Sequence, residues 1–130
     1  MRIVIADDSD LMLERLQIML SLLDKVEVIG IYRNGTEALA GLKKFSPDLA
    51  ILDNKMPGLK GVEVIREIRK ENSMVKLMLL SFYSDTYYKK QAMKVGTDYF
   101  FSKNEDFEKI PEVIAELINN DNNCSINNHS

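Results

Sequence analysis

Short runs of aliphatic and β-branched residues alternate with stretches in which apolar positions recur every three or four residues. Residues 2–6 (RIVIA) form the first run, β-branched and short, and read as a buried strand. Ser9 or Asp10 then caps a helix to about residue 23, with Leu16, Met19, Leu20 and Leu23 on one face. Residues 26–31 (VEVIGI) read as the second strand. Asn34-Gly35 opens a helix that turns Ala38, Leu39, Leu42 and Phe45 inward and stops at Ser46-Pro47. Residues 49–52 (LAIL) are the third strand, and a loop with Pro57, Gly58 and Gly61 leads into a helix over 61–71 that buries Val62, Ile65 and Ile68. Residues 75–80 (VKLMLL) are the fourth strand, 85–95 a polar helix ending at Gly96, and 99–101 a fifth, aromatic strand. The last helix is expected over 105–118, with Phe107, Ile110, Val113, Ile114 and Leu117 at helical spacing.

Five strand–helix pairs in succession predict a parallel sheet with helices on both faces. Right-handed crossovers leave few arrangements for five strands. The expected fold class is therefore α/β, a flavodoxin-like, doubly wound, five-stranded parallel sheet with strand order 2-1-3-4-5. From Asn119 onward the chain reads NNDNNCSINNHS, almost without apolar residues. The expected domain is thus residues 1–118, with 119–130 a polar, disordered tail. No second domain follows in this stretch, so the expectation is a domain that works alone.

The 130 residues suit one domain, and 45% hydrophobic with 28% charged residues is an ordinary globular balance. The apolar runs are too short to span a membrane, and the acids after the first run do not suit a signal peptide. The net charge of −3, with no concentration of Lys and Arg, argues against direct binding to nucleic acid. One cysteine, Cys124, forms no internal disulfide, and a cytoplasmic setting is the simplest expectation. The sole histidine, His129, is one residue from the end, which removes His-based triads, dyads and metal sites from the fold. Chemistry must rest on carboxylates, lysine, hydroxyls and backbone.

Ligands of an open parallel sheet gather at the carboxyl ends of its strands. Asp7 and Asp8 follow the first strand, Asp53 the third, Ser81 the fourth, and Lys103 comes just past the fifth. Three carboxylates, a hydroxyl and an ammonium thus converge on one edge. Crowded carboxylates raise one another's pKa, and a hard divalent cation with oxygen ligands, Mg²⁺, relieves this. Lys103 and Ser81 can hold an anion rich in acceptor oxygens. The set suits phosphoryl transfer to an aspartate, with metal and lysine stabilising the transferring group.

In these motifs the sequence resembles the receiver domain of two-component response regulators. The resemblance is carried by IADDSD after the first strand, LDNKMPGLKG around Asp53, LLSF at the fourth strand and GTDYFFSK ending at Lys103, and it covers residues 2–118. It implies that Asp53 is the phosphoacceptor and that Asp7 and Asp8, with Asp53 and the backbone carbonyl of Lys55, hold Mg²⁺. Ser81 is then the hydroxyl that turns toward the phosphoryl group, Lys103 the family's lysine, and Phe100 the aromatic switch residue. The implied partners are a sensor histidine kinase or a histidine phosphotransfer protein as donor, and a downstream protein reading the fourth helix, fifth strand and fifth helix. The implied form is a monomer or a phosphorylation-promoted homodimer. Such a domain catalyses its own phosphorylation and dephosphorylation and is not a turnover enzyme.

Three positions depart from the family's pattern. Phe82 stands where a small residue is usual, as an access gate that shields an acyl phosphate from water or narrows entry for small donors. Phe100 stands where tyrosine is common. Asn104 follows Lys103 where many members have proline. Plainer readings exist for each residue alone: a helix-start acidic pair for Asp7 and Asp8, ordinary strand core for Phe100 and Phe101 with Phe101 the inward one, and one packed and one exposed ring for Tyr87 and Tyr88. Two rival functions are a small Mg²⁺-dependent phosphohydrolase with Asp8-Ser9-Asp10 as its nucleophile motif, and a degenerate receiver serving only as an interaction module.

Overall fold

The computed structural model describes residues 1–82 and 86–128, with 121–128 as backbone only. Among the described residues five strands, β1 (Arg2–Ala6), β2 (Glu27–Tyr32), β3 (Leu49–Asp53), β4 (Lys76–Ser81) and β5 (Tyr99–Ser102), alternate with five helices. The helices are α1 (Asp10–Ser21), α2 (Gly35–Phe45), α3 (Gly61–Lys70), α4 (Thr86–Lys94) and α5 (Lys109–Asn128). The strands pair in parallel in the order β2-β1-β3-β4-β5, the expected flavodoxin-like arrangement.

Alternation along the central strands divides the core in two. Ile3, Ile5, Leu49, Ile51, Met78 and Leu80 face one way and pack with Leu13, Leu16 and Leu20 of α1 and Ile110 and Ile114 of α5. Val4, Ala6, Ala50, Leu52, Leu77 and Leu79 face the other way and meet Ala38 and Leu42 of α2, Val64, Ile65 and Ile68 of α3, and Ala92 of α4. Each large side chain so buried contributes about 1.5–3 kcal/mol. Because β1, β3 and β4 are locked from both faces, the residues at their carboxyl ends are held rigidly.

Local chemistry sets the helix starts. The Ser9 hydroxyl accepts the Met12 N–H at 3.2 Å, and the Asn34 side-chain oxygen accepts the Glu37 N–H at 2.8 Å. At α3 the Lys60 N–H donates to the Glu63 carboxylate at 3.1 Å.

Three details differ from expectation. Phe100 and Phe101 both pack, on opposite faces: Phe100 against the cluster containing Ala92, Phe101 against the cluster containing Ile110. A sheet covered on both sides has two interiors, so alternation does not force one ring out. Tyr87 and Tyr88 are both exposed, 66% and 46%, with their rings 5.9 Å apart edge-on. The inner side of α4 offers only Ala92 as a buried residue, so neither ring is needed in the core.

The last helix begins at Lys109 and continues to Asn128. The expected tail therefore starts as a continuation of the helix. No glycine or proline follows Pro111, so nothing in the chain stops the hydrogen-bond ladder once Ile110, Val113 and Ile114 have anchored it. His129 and Ser130 lie outside the described residues.

Arg69 ties the end of α3 to the loops around β4 and β5. Its Nε donates to the Gly96 carbonyl at 2.9 Å, and one terminal nitrogen to the carbonyls of Ser73 and Val75 at 3.0 and 2.8 Å. The other donates to Asp98 Oδ2 at 2.7 Å, and that oxygen also accepts the Leu77 N–H. Gly96 adopts φ +105°, and a Cβ there would lie 2.7 Å from Arg69 Cγ, so glycine permits the approach. Arg69→Ala leaves three carbonyls and a carboxylate short of a donor. It is expected to lower stability by about 2 kcal/mol in urea unfolding, and a loss below about 0.5 kcal/mol would contradict this role.

Candidate functional site

The strand ends bring the expected side chains together. Asp7, Asp53, Ser81 and Lys103 are each at most 5% exposed, while Asp8 faces solvent. Lys103 Nζ donates to Asp7 Oδ2 at 2.6 Å and lies 3.1 Å from Asp53 Oδ1. The Ser9 N–H donates to Asp7 Oδ1 at 2.9 Å, and the Lys55 N–H to Asp53 Oδ1 at 3.3 Å. Carboxylate oxygens of Asp7, Asp8 and Asp53 fall within 4.8 Å of one another.

Burial pushes the Asp53 carboxyl up from 3.8 to about 6, and the neighbouring charge of Asp7 adds to the rise. The Lys103 ammonium and the Lys55 N–H pull it partly back. Three carboxylates crowd this cluster around the buried Lys103 ammonium. The donor set is all oxygen, and one of its members is open to solvent. A small divalent cation of the Mg²⁺ type fits both the charge and the donors.

The polar cluster lies where the chain matches known proteins. Residues 3–115 match the family model of the response regulator receiver domain. The chain belongs to this family. The receiver domain is 31% identical over 117 residues to the transcriptional regulatory protein DesR of Bacillus subtilis, covering 90% of this chain and 58% of that one. It is 30% identical over 116 residues to the transcriptional regulatory protein LnrK of the same species, covering 89% of this chain and 53% of that one. The chain thus spans a little over half the length of these curated relatives. Among solved structures, the signal receiver domain of NarL from Mycobacterium tuberculosis superposes with a TM-score of 0.84 at 30% identity, covering 89% of this chain and 94% of that one.

In this receiver domain the cluster opens into a pocket of about 230 Å³ lined by Asp8, Ser9, Asp53, Lys55, Ser81, Phe82 and Lys103. Phe82 is 58% exposed, and its ring centre lies 4.9 Å from Lys103 Nζ. The ring is therefore a wall of the pocket with one side in water. Phe100 is outside the pocket, packed toward α4. Gly61 is a backbone requirement of the site: a Cβ there would come within 2.5 Å of the Asp53 carbonyl and of Leu79 Cδ1.

Two supports were not foreseen from the sequence. Ser9 caps α1, and its N–H also orients Asp7. After Lys103 the chain turns on side chains. The Ser102 hydroxyl accepts the N–H groups of Asn104 and Glu105, and Asp106 Oδ2 accepts the Ser102 N–H at 2.8 Å. That bond holds the Asp106 carboxyl below its ordinary range. Ser102 and Asp106 flank Lys103 at the short spacing that side-chain-to-backbone turns use, which was the available signal.

Among the described residues no helix is long and apolar enough to cross a membrane.

In the metal-free receiver domain, ionising Asp53 opposes folding. The folded protein holds that proton more tightly than the unfolded chain, so stability falls as pH rises from 3.8 through about 6. Asp53→Asn removes the loss and is expected to raise stability near neutral pH by on the order of 1 kcal/mol, with the gain vanishing below about pH 4. Urea unfolding in the presence of a chelator measures this, and a destabilised variant at neutral pH would contradict it.

Proposed function

We propose that this receiver domain takes a phosphoryl group from a partner's phosphohistidine onto Asp53 and thereby switches the surface formed by α4, β5 and α5. The observation that carries the reading is the buried Lys103 ammonium held between Asp7 and Asp53. An ammonium so placed pairs with carboxylates at rest and is within reach of a phosphoryl group formed on one of them. The donor is a sensor histidine kinase or a histidine phosphotransfer protein, the recipient of the signal is a downstream protein, and the setting is the cytoplasm.

Asp53 acts in its ionised form. One carboxylate oxygen attacks phosphorus, the new P–O bond forms, and the P–N bond breaks with its electron pair going to the donor's imidazole nitrogen. Asp7, Asp8, Asp53 and the backbone carbonyl of Lys55 would hold Mg²⁺. When bound, the metal supplies charge neutralisation for the phosphoryl oxygens. Lys103 shifts its hydrogen bond from Asp53 to a phosphoryl oxygen, and the Ser81 hydroxyl donates to another. Phe100 follows Ser81 inward, and α4, with Ala92 as its one buried residue, moves at little energetic cost. Later a water oxygen attacks phosphorus, the acyl P–O bond breaks, and inorganic phosphate leaves with Asp53 restored. The chain is reset once per signal and is not a turnover enzyme. It works as a monomer or as a homodimer favoured by phosphorylation.

Intact mass after incubation with Mg²⁺ and acetyl phosphate, and separately with a phosphohistidine donor, tests the reading. The expected result is a gain of one phosphoryl group that requires both the metal and Asp53. A gain that survives Asp53→Asn, or no gain from either donor, would overturn it.

Phe82 gates the same pocket. Its ring lines the opening beside Lys103, where it limits entry of water and of small phosphodonors. Phe82→Ala is expected to shorten the lifetime of the phosphorylated state severalfold and to speed uptake from acetyl phosphate. An unchanged dephosphorylation rate would sink the gate.

A further inference from the structure

We infer that Asp106 is a positioning residue for phosphoryl transfer: its side chain fixes the turn from which Lys103 reaches into the pocket. This role rests on Asp53 being the phosphoacceptor, as proposed above.

The sheet gives the backbone of Lys103 little support. Lys103 stands one residue past β5, and β5 is an edge strand paired only with β4. The Lys103 N–H donates to the Ser81 carbonyl at 2.9 Å. Residues 103–108 then form turns, and α5 begins at Lys109. No proline fixes a backbone angle between Lys103 and Glu108. Yet the ammonium, at the end of a flexible four-carbon stem, sits 2.6 Å from Asp7 Oδ2 and 3.1 Å from Asp53 Oδ1. An error of about 1 Å in placing a reacting group can cost about a hundredfold in rate.

Four hydrogen bonds close the turn around Lys103. Asp106 Oδ2 accepts the Ser102 N–H at 2.8 Å, and the Asp106 N–H donates to the Ser102 carbonyl at 3.0 Å. The Ser102 hydroxyl accepts the N–H groups of Asn104 at 3.3 Å and Glu105 at 3.2 Å. Ser102 and Asp106 thus grip each other across Lys103. Ser102 is 4% exposed, so without Asp106 its N–H is buried and loses its acceptor. Phe107, packed on the core with the Arg15 guanidinium 4.3 Å over its ring, holds the far side of the turn.

A helix cap does not account for these bonds. The caps of α1 and α2 accept N–H groups of the helix that follows, whereas the Asp106 side chain reaches back to the end of β5. Its other oxygen, Oδ1, meets Lys109 Nζ at 3.0 Å, but that lysine side chain is 59% exposed and the pair contributes little. What the turn needs from Asp106 is an oxygen acceptor rather than a charge.

Two binding reactions of the full chain separate positioning from general damage. Mg²⁺ alone meets the carboxylates and the Lys55 carbonyl, whereas beryllofluoride with Mg²⁺, and uptake from acetyl phosphate, also need Lys103. Calorimetry reads the first, fluorine NMR the second and intact mass the third. Wild type is compared with Asp106→Ala, Asp106→Asn, Ser102→Ala and Lys109→Met, each checked for its fold by circular dichroism. Asp106→Ala is expected to lower beryllofluoride affinity and the uptake rate about tenfold or more, with no fall in Mg²⁺ affinity. Asp106→Asn, whose amide oxygen still accepts the Ser102 N–H, restores both, and Lys109→Met is neutral. Ser102→Ala removes only the hydroxyl acceptor, shows the same split in smaller measure, and decides the matter if Asp106→Ala does not fold. An Asp106→Ala variant that reacts like wild type would overturn the inference. So would a parallel loss of Mg²⁺ binding, or an Asp106→Asn variant as impaired as Asp106→Ala. A wild type that binds Mg²⁺ but takes up neither group would instead remove the phosphoacceptor reading, and the role of Asp106 with it.

Discussion

A buried ammonium between two buried carboxylates is the interaction on which the site depends. Taking each ion out of water costs several kcal/mol, and only close pairing offsets the cost. Lys103 Nζ meets Asp7 Oδ2 at 2.6 Å and Asp53 Oδ1 at 3.1 Å; the Ser9 N–H donates to the other oxygen of Asp7, and the Lys55 N–H to the same Oδ1 of Asp53. Burial, with the neighbouring charge of Asp7, still holds the Asp53 carboxyl above its ordinary range. A pocket in this state is stabilised by anything that brings positive charge to the carboxylates or gives Lys103 another anion to hold. Phosphoryl transfer with a divalent metal does both.

The fold makes such a cluster possible. Asp7 and Lys103 are 96 residues apart, and neither has a buried partner until the whole sheet is assembled. The strands that present Asp7 and Asp53 are packed on both faces, so their ends do not yield when like charges crowd there. The side of the sheet toward α4 is different. Helix α4 buries Ala92 and exposes Tyr87 and Tyr88, so among the described residues it is the helix with the fewest buried side chains. Rigid strand ends beside a loosely held helix are what a local charge change needs in order to move a surface.

Much of this was legible in the sequence because buried parallel strands leave a simple mark. Each is a short apolar run, and the polar residues just after it stand at the sheet's functional edge. Asp7, Asp8, Asp53, Ser81 and Lys103 were found in that way, and the strand order followed from alternation and crossover handedness. The parts that were not legible depend on partners distant in the chain or on backbone choices that local patterns do not set. Arg69 reads as one charge on a polar helix side, and nothing local shows that its guanidinium serves Gly96, Ser73, Val75 and Asp98 together. The turn after Lys103 rests on Ser102 and Asp106, whose roles appear only once their backbone partners are placed. The end of α5 is a further case: polar composition alone does not mark it, and residues 112–128 hold no glycine or proline.

The most direct measurement of the central claim is a crystal structure of the chain grown with Mg²⁺ and beryllofluoride, which mimics a phosphoryl group on a carboxylate. The account predicts the metal on Asp7, Asp8 and Asp53, beryllium on Asp53, and Lys103 and Ser81 within hydrogen-bond distance of its fluorines. A pocket empty of both groups, with Lys103 still bridging Asp7 and Asp53, would contradict it.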